Sequence, residues 1–455
     1  MAGESSTAAA LRVRSPTKIK EAVLDLISSL PDDILQHILS FIQTKIAIKT
    51  SLLSKRWRHV WCGTPSLSFN CNRVEAPFIN KTLTRYTSSK MMSFKLHSNL
   101  SENVPHLDSW IEFLMSRNVE NLSMTLWHDE YKFPDFFYIN SSVKQLFVEL
   151  DCADMRIPTC SVSWTCLKKL TLRKCRLSDE YMAKILPGCP ILESLTLCSC
   201  DSLEVLDLSK SMRLRTLEVE RNRWTLGPTQ IVAPHIHCLI LTSSQVSPST
   251  LVYVSSLAEA KLNIFIGPSE RPIKADFLQD MVLTMLAKLQ NVEKLAFGEI
   301  FLQVLSLAKL RGVTFPMFKV KALTLKTSIS QNVIHGIERI LQNSPDLKML
   351  TLHIINGNTI PEVNLDEYVA SQGINPDLCW RSKDGAYWNR SRFDVEPKHV
   401  VSFMKLMVKT TKTLEKMVVK LEGSYGRFKE LVSKTLSRNK NVSIVLSTMP
   451  MTCES

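Results

Sequence analysis

The sequence has no apolar run long enough to cross a membrane. A transmembrane helix needs about 18 or more consecutive apolar residues, and no stretch of the chain provides them. Near the N-terminus only Ala8–Leu11 forms an apolar segment, which is too short for the hydrophobic region of a signal peptide. We therefore expect no membrane partner, and a location in the nucleus or the cytoplasm.

The sequence also lacks the short motifs that mark common catalytic sites. It contains no Walker A loop, no G-x-S-x-G elbow, no H-E-x-x-H pair and no dinucleotide fingerprint. Cys198-Ser199-Cys200 and His235-Ile236-His237 are the clusters most suggestive of a metal, but neither has a second ligand pair at zinc spacing. We expect no catalytic residue, no cofactor and no metal.

A disulfide framework is not expected either. The twelve cysteines are scattered along 455 residues, whereas disulfide-rich proteins are mostly small and secreted. Hydrophobic residues make up 45% of the chain and charged residues 22%, which is typical of a protein that buries a large core. The sequence therefore indicates a folded protein of a reducing compartment.

Positive charge is concentrated in one segment of the chain. The net charge is +13, and residues 397–440 hold eleven Lys and Arg against three Glu. No zinc-finger, RNP or basic-zipper pattern accompanies this charge. We interpret the segment as a solvated helix face and a basic surface, with nucleic-acid binding as the less favoured alternative.

Three short helices are predicted after a flexible tail of residues 1–22. Leu30-Pro31-Asp32-Asp33 places a proline and two carboxylates where the first turn of a helix favours them. The apolar stripe of this helix consists of Ile34, Leu35, Ile38, Leu39 and Ile42. Thr44 and Ser54 are each predicted to cap a further short helix.

The motif L-x-x-L-x-L recurs along most of the remaining chain, with other apolar residues allowed at the Leu positions. It starts at Val119, Val143, Leu167, Leu192, Leu203, Leu214, Ile236, Leu257, Val292, Val320, Leu347 and Leu414. Most spacings fall in or near the 20–29 residues of leucine-rich repeats, and the two intervals of 11 residues beside Leu203 add up to one repeat. The pattern predicts a curved solenoid with a mainly parallel sheet and helices on its convex side.

The most complete copy of the repeat extends from Leu167 to Leu177 and carries Cys175 at its polar or thiol position. We predict that Cys175 is buried at the turn after its strand, as a small apolar residue. Residues 179–186 and 275–289 are predicted as repeat helices. Residues 357–392 break the period, which predicts an insertion or a long loop.

The stretch Leu26–Phe69 closely resembles the F-box of plant F-box/leucine-rich-repeat proteins. The resemblance rests on Leu30-Pro31-Asp32-Asp33-Ile34-Leu35, on Ser51-Leu52-Leu53-Ser54-Lys55-Arg56-Trp57-Arg58 and on Val60-Trp61. Ile42-Gln43 and Ile46 depart from the family pattern, which often has Leu-Pro and an acidic residue there.

Nearer the C-terminus, Leu414–Val419 and Asn441–Leu446 are similar to the FBD-type region that ends many of these proteins. A helix at 396–408, a strand at 414–421, a helix at 428–437 and a last strand at 442–446 are predicted. The resemblance implies an α/β protein with these parts: a tail at 1–22, an F-box at 23–66, a solenoid at 67–356, an insertion at 357–392 and FBD-like repeats at 393–449.

The resemblance implies that the F-box binds a Skp-type adaptor and, through it, a cullin. The three helices also carry more apolar surface than a unit of about 40 residues can bury internally. The predicted adaptor-binding residues are Leu30, Pro31, Ile34, Leu35, Ile38, Leu39, Leu52, Leu53 and Trp57. Val60 and Trp61 are predicted to pack on the first repeat instead.

In the strands of a leucine-rich repeat, the residues between the leucines face the concave surface. The predicted target-binding residues are Lys169, Thr171, Arg173, Thr196, Asp207, Glu218 and Glu220. Their mixed charge suits a target protein, whose identity is unknown, better than a uniform polyanion.

We therefore predict a non-enzymatic adaptor that holds a target protein for ubiquitination by a Skp-cullin-F-box ligase. One alternative is a receptor in which the solenoid and the 357–392 insertion enclose a small-molecule pocket that gates target binding. The other is a nucleic-acid-binding protein that uses the basic segment 397–440, with a steep dependence of affinity on salt.

Overall fold

A computed structural model gives the fold. It describes residues 27, 29–70, 75–99, 101–127, 131–155, 158–221, 227–244, 249–266, 275–354, 359–380, 397–422 and 442–449. The predicted tail at 1–22 and the predicted helix at 428–437 lie outside the described residues.

The three predicted N-terminal helices are confirmed. They are α1 (Asp32–Leu39), α2 (Thr44–Lys49) and α3 (Trp57–Val60), and single 3₁₀ turns follow α2 and α3. The Ser54 hydroxyl accepts a hydrogen bond from the Trp57 backbone N–H at 3.4 Å, although α3 begins later than predicted and Arg56 stands at its N-cap position. The prediction that Thr44 caps α2 is wrong: its hydroxyl instead accepts from the Ser68 backbone N–H at 2.7 Å.

A parallel sheet of fourteen described strands runs through the rest of the molecule. Its strands, in spatial order, are β1 (Ser66–Asn70), β2 (Ser93–Ser98), β3 (Asn121–Leu126), β4 (Gln145–Asp154), β5 (Lys169–Arg176), β6 (Ser194–Cys198), β8 (Thr216–Glu220), β10 (Cys238–Ser244), β12 (Glu259–Phe265), β13 (Lys294–Phe297), β14 (Ala322–Thr327), β15 (Met349–Ile354), β16 (Lys416–Glu422) and β17 (Ser443–Met449). Every pairing within it is parallel. The predicted parallel sheet is therefore confirmed.

The repeat motif sets the register of this sheet. Each strand that the motif predicted begins two residues after the first motif position, as β3 does after Val119 and β15 after Leu347. The apolar motif residues are buried, and the residues between them point to the other face. The motif also starts at Met91, ahead of β2, as Met91-x-x-Phe94-x-Leu96, a copy that the sequence analysis did not count.

The Leu203 copy of the motif belongs to a second sheet. Its strand, β7 (Val205–Asp207), pairs in parallel with β9 (Gln230–Val232), which pairs with β11 (Thr250–Tyr253). These strands alternate along the chain with β6, β8, β10 and β12 of the large sheet. At one edge of this second sheet β7 contacts the helix of residues 179–185, and at the other edge β11 contacts the helix of residues 275–288. The three strands therefore occupy the positions that helices take in the other repeats.

Helices pack on one face of the large sheet. After the F-box they are α4 (Ala76–Arg85), α5 (Val104–Ser116), α6 (Asp135–Tyr138), α7 (Asp179–Ile185), α8 (Ala275–Lys288), α9 (Glu299–Leu310), α10 (Gln331–Gln342), α11 (Glu362–Ser371), α12 (Pro376–Cys379) and α13 (Pro397–Thr410). The predicted helices at 179–186, 275–289 and 396–408 are thus confirmed to within two residues. Their apolar sides and the inward strand residues form one continuous core. We call the sheet face away from the helices the open face.

The described part of the 357–392 segment is not a plain loop. It contains α11 and α12, with Leu365, Val369 and Trp380 buried. Gln303 of α9 accepts a hydrogen bond from the Ile360 N–H at 2.8 Å and donates one to the Ile360 carbonyl at 3.3 Å. Residues 359–380 therefore pack on the helix side of the sheet and do not lie over the open face.

Candidate functional site

The F-box helices share a small core of their own. It consists of Leu35, Leu39, Ala47, Trp57, Val60, Trp61 and Cys62, with Leu30 and Ile48 packed against it. One ion pair braces this unit: Arg56 contacts the Asp32 carboxylate at 2.7 Å and also donates to the Leu30 carbonyl. The start of α1 and the start of α3 are thereby held together.

The opposite side of the same helices is apolar and exposed. Leu52 is 88% exposed, Phe41 77% and Leu53 68%. The other large apolar side chains of this face are Ile34, Ile38, Ile42 and Ile46. Soluble proteins rarely leave such a concentration of large apolar groups in water unless a partner covers it.

The predicted adaptor-binding residues therefore divide into two groups. Pro31, Ile34, Ile38, Leu52 and Leu53 are exposed. Leu35, Leu39 and Trp57 were predicted to contact the adaptor, but they lie in the F-box core. The apolar stripe of α1 is wide enough that its buried side, with Leu35 and Leu39, and its exposed side could not be told apart from the sequence. Leu30 is half-buried against that core.

Three exposed residues of this face were missed by sequence reasoning. Phe41 lies in the turn after α1, and the two positions that depart from the family pattern, Ile42 and Ile46, follow it. Ile46 stands where the family often has an acidic residue, so this departure enlarges the apolar face, whereas Ile42 stands where the family often has Leu and keeps an apolar side chain there. For Phe41 and Ile46 the available signal was an apolar residue outside the helical stripe, whereas Ile42 was counted in that stripe and was not named as an adaptor contact.

The F-box is joined to the solenoid by the 3₁₀ turn that follows α3 and the residues just after it. Trp61 contacts Arg85 there, but Val60 and Trp61 both belong to the F-box core, so the predicted packing of Val60 on the first repeat stays a prediction. Thr87 donates its backbone N–H to the Cys62 carbonyl at 2.9 Å, and the Tyr86 hydroxyl donates to the Thr64 carbonyl at 2.9 Å. The Arg85 guanidinium lies 5.5 Å from the centre of the buried Trp61 ring. These contacts hold the F-box against the first repeat while its apolar face stays exposed.

Most of the predicted target-binding residues lie on the open face of the sheet. Lys169, Thr171 and Arg173 pair in register with Ser194, Thr196 and Cys198, and these pair with Thr216, Glu218 and Glu220. Lys169, Arg173 and Glu220 are exposed, whereas Thr171, Thr196 and Glu218 are half-buried.

Two of these strands are linked by hydrogen bonds across the open face. The Thr196 hydroxyl donates to Glu218 Oε2 at 3.2 Å, and the Cys198 thiol donates to Glu220 Oε2 at 2.9 Å. Burial, and secondly the neighbouring Glu220 carboxylate, raise the pKa of Cys198 to about 12. The centre of the open face is therefore acidic and its thiol is protonated.

Asp207 does not lie on the open face, and its prediction as a target contact is corrected. It belongs to β7 of the second sheet. Eleven residues separate the motif starts at Leu192 and Leu203, which is too few for the chain to complete a repeat and return to the large sheet. The carboxylate of Asp207 accepts from the Ser209 N–H at 2.9 Å, and this bond lowers its pKa.

Sequence reasoning missed an exposed aromatic residue at the edge of the open face. Trp127, which is 40% exposed, follows β3 at an outward-facing position. His97 approaches its ring edge-on at 5.2 Å, and Lys174 Nζ lies 5.4 Å from its centre. Counting in twos from Asn121 along β3 was the signal that could have found it.

The described part of the chain shows neither a membrane-spanning helix nor a metal-binding cluster. None of its helices is both long enough and apolar enough to span a bilayer. No group of three His, Cys, Asp or Glu side chains among the same residues is placed to hold a metal ion. In the His235-Ile236-His237 cluster, a ring nitrogen of His235 instead contacts the Ser209 carbonyl at 3.1 Å.

Comparison with known families places two matches on these surfaces. Residues 27–68 match the F-box domain. Residues 107–209 match the family described as FBD-associated F-box protein At5g56370, LRR repeats. The first match covers the exposed apolar face, and the second covers β3 to β7. The boundaries predicted for the C-terminal FBD-like repeats stay a prediction.

Several proteins of Arabidopsis thaliana are similar over nearly their whole length. At3g18150, whose name assigns it to the F-box/LRR-repeat proteins, is 63% identical over 436 residues, which cover 95% of this chain and 94% of the relative. F-box/LRR-repeat protein At3g03360 is 53% identical over 95% of this chain and 92% of its own. F-box/LRR-repeat protein At5g02910 is 48% identical over 93% and 95% of the two chains.

Proposed function

The chain belongs to the F-box/LRR-repeat proteins, and from that premise we propose that it is the target-recognition subunit of a Skp-cullin-F-box ubiquitin ligase. In this proposal the F-box binds the Skp-type adaptor, the adaptor connects to the cullin, and the open face binds the target protein. The chain itself supplies no catalytic group, and it works in the nucleus or the cytoplasm.

The observation that carries the proposal is the exposed apolar face of the F-box. Leu52, Leu53 and Phe41 are the most exposed of its side chains. Burying a Leu, Ile or Phe side chain contributes about 1.5–3 kcal/mol, and a few such anchors can supply most of the free energy of an interface. An adaptor that covers this face gains enough apolar contact for stable association.

The residues inside the F-box have a supporting role in this proposal. Leu35, Leu39 and Trp57 keep α1 and α3 in contact, and Pro31 fixes the backbone at the start of α1. A preformed face binds more tightly, because fewer conformations are lost on association.

The target surface is assigned to the open face by its position and its chemistry. The outward strand residues there include charged, hydroxyl and apolar types, as with Arg173, Thr196 and Ile240, and this mixture suits a protein target better than a uniform polyanion. Residues 359–380 lie on the helix side, so they do not provide the pocket wall that the small-molecule receptor requires. The target-adaptor function is the one we retain.

The proposal is tested by replacing Leu52 and Leu53 together with Ser. Because both side chains are exposed, the F-box core and the solenoid stay intact, and the adaptor loses two anchors. We expect binding of a purified Skp-type adaptor to weaken roughly thirtyfold or more, given about 1–2 kcal/mol or more for each anchor. The measurement is isothermal calorimetry with the full chain.

A matched control replaces two exposed apolar residues elsewhere, Met317 and Val363, which are 57% and 66% exposed. This variant should bind the adaptor as the unchanged chain does. In affinity purification from plant tissue, adaptor and cullin should disappear from the Leu52→Ser, Leu53→Ser sample while the target remains. Unchanged adaptor affinity in a folded Leu52→Ser, Leu53→Ser variant means that the proposed adaptor contact is wrong.

A further inference from the structure

The open face changes in charge along the sheet. Carboxylates lie on its central strands, with Glu218 and Glu220 on β8 and Glu259 on β12. The outward positions of β14, β15 and of β16 up to Lys420 carry no carboxylate. Their cations are Lys326, Lys416 and Lys420, and His353 lies between Lys326 and Lys420 in register.

These three lysines differ from the lysines at the strand starts. There, Lys321 pairs with Glu293 at 2.6 Å and Lys348 with Glu415 at 3.0 Å, each across to a neighbouring repeat. No carboxylate whose side chain the structure describes lies within 4.0 Å of Lys326, Lys416 or Lys420. Their positive charge is not neutralised by that part of the chain.

The pKa of His353 is consistent with the positive charge of the lysines beside it. Burial, followed by the charges of Lys420 and Lys326, lowers the pKa of His353 to about 4. The imidazole is therefore neutral at physiological pH, since that pH lies above its pKa. The neutral imidazole can contact a ligand through its ring and through a hydrogen bond, between Lys326 and Lys420.

A row of three small side chains lies between the lysines on the open face. Thr324, Thr351 and Val418 stand in register on the three strands and are half-buried. Lys416 lies on one side of this row, and Lys326 and Lys420 lie on the other. The hydroxyl and methyl groups of this row can contact the backbone and small apolar side chains of a bound peptide. The lysines on both sides of the row can contact the carboxylates of that peptide.

From this arrangement we infer that the open face of β14–β16 binds an extended acidic segment of the target protein, with Lys326, Lys416 and Lys420 contacting its carboxylates and Val418 contacting an apolar residue between them. We call the site formed by these four residues with Thr324, Thr351 and His353 the acidic-segment site. The inference rests on the proposed function, because the bound segment belongs to the protein to be ubiquitinated.

Two other anionic partners fit the surface less well. A nucleic acid or a lipid surface carries negative charge over a wide area, and it would also meet Glu218 and Glu220 on β8 and Glu259 on β12, which lie two or more strands away from β14. Like charges placed opposite each other disfavour an interface. A peptide segment can place its acidic residues on β14–β16 alone and different residues beyond them.

The experiment measures binding of a fluorescein-labelled peptide of alternating Asp and Val to the full chain by fluorescence anisotropy. A peptide with Asn in place of every Asp is the matched probe. We expect the Asp peptide to bind and the Asn peptide to bind at least about tenfold more weakly, because it lacks the charges. Replacing Lys326 and Lys420 by Gln should weaken binding of the Asp peptide by roughly tenfold or more.

A control variant with Lys321→Gln and Lys348→Gln has the same net charge and changes the same region of the sheet. It should bind the Asp peptide within about twofold of the unchanged chain. Equal losses in both double variants, or no preference for Asp over Asn, would overturn the inference. So would a Lys326→Gln, Lys420→Gln variant that loses binding to phosphatidylserine vesicles or single-stranded RNA but keeps the peptide.

The same variants separate this inference from the proposed function. The acidic-segment site lies on β14–β16, whereas the adaptor face lies on α1 and α2 and the turn that follows. Lys326→Gln, Lys420→Gln should therefore keep full affinity for the Skp-type adaptor. A loss of peptide binding with adaptor binding intact supports the inference, and intact peptide binding in that variant contradicts it whatever the adaptor does.

Discussion

At the scale of single residues, two cysteines of neighbouring strands differ sharply in their surroundings. Cys175 is buried in the core, and its thiol donates to the Arg173 carbonyl at 3.1 Å. Burial raises the pKa of Cys175 well above its ordinary value. Cys152, by contrast, is exposed near the end of β4.

This difference predicts the order in which the thiols react. Because the thiolate is the nucleophile, a maleimide should modify Cys152 readily in the native protein and Cys175 only when the solenoid unfolds. Timed labelling followed by peptide mass spectrometry measures both sites in one sample. Modification of Cys175 at the rate of Cys152 without denaturant would contradict the buried position.

The repeat pattern was sufficient to predict the burial of Cys175, because position within L-x-x-L-x-L-x-x-N/C-x-L fixes which side chains turn inward. Its predicted place at the turn after the strand is wrong, since Cys175 lies within β5. The sequence pattern was not sufficient for Thr44. The Thr44 hydroxyl oxygen could accept a hydrogen bond from an N–H of the first helical turn or from a distant N–H, and its partner is the Ser68 N–H, 24 residues away. Local sequence cannot rank a local hydrogen bond against one that exists only after the F-box packs on β1.

At the scale of elements, two helices of the solenoid begin at serine but use it differently. The Ser178 hydroxyl accepts a hydrogen bond from the Tyr181 N–H at 3.0 Å at the start of α7. Ser330 precedes α10 without such a bond, and its hydroxyl has no partner within the described residues. The pair provides its own control.

Ser178→Ala should lower the free energy of unfolding by about 1 kcal/mol, the usual cost of losing an N-cap. Ser330→Ala should change it by no more than a few tenths of a kcal/mol, because no hydrogen bond is lost. Urea unfolding followed by circular dichroism measures both. Equal destabilisation of the two variants would mean that the Ser178 bond does not stabilise α7.

The strand β7 shows a case in which the repeat motif predicted a strand but not the sheet to which it belongs. A motif start at Leu203 has the right residues for a strand, and a strand forms there, but it pairs with β9 on the helix side. The Asp179 carboxylate accepts from the Glu204 N–H at 2.8 Å and so holds the start of β7 beside α7. Sheet membership depends on the length of the connection, which the hydrophobic pattern alone does not encode.

At the scale of the whole molecule, residues 359–380 are joined to the solenoid by contacts between distant parts of the chain. The Gln303 amide makes both hydrogen bonds to the main chain of Ile360 in a buried setting. The Tyr368 hydroxyl donates to Asp276 at 2.6 Å, and Gln279 donates to Tyr368 at 2.9 Å. These bonds fix α11 against α8 and α9.

Gln303→Ala should release this segment locally, since a buried backbone N–H and carbonyl would lose their partners at a cost of about 1–3 kcal/mol. We expect faster hydrogen exchange in 359–380, with little change in β3–β6. Gln290→Ala is the control, because within the described part of the chain the Gln290 side-chain amide bonds to the nearby Ala287 carbonyl alone. Uniform acceleration along the solenoid would show that Gln303 supports the repeats rather than the segment.

The sequence by itself determined the features that rest on local period and on side-chain size. Leucines spaced for strands, as in Leu167–Leu177, must turn to one side because alternate strand residues face opposite ways, and this predicted the register and the open face. The start of α1 at Pro31-Asp32-Asp33 was equally local. Both follow from interactions within a few residues.

The tertiary structure alone decided which apolar residues remain exposed and which charges remain unbalanced. Leu35 and Ile34 are neighbours of similar hydrophobicity, yet only packing against α3 buries the first and leaves the second in water. Lys348 and Lys420 are both lysines of the repeats, but among the side chains that the structure describes a carboxylate reaches only Lys348, from Glu415 at the start of the next repeat. Exposure and charge pairing depend on neighbours distant in the chain, and those neighbours are assembled only by the complete fold.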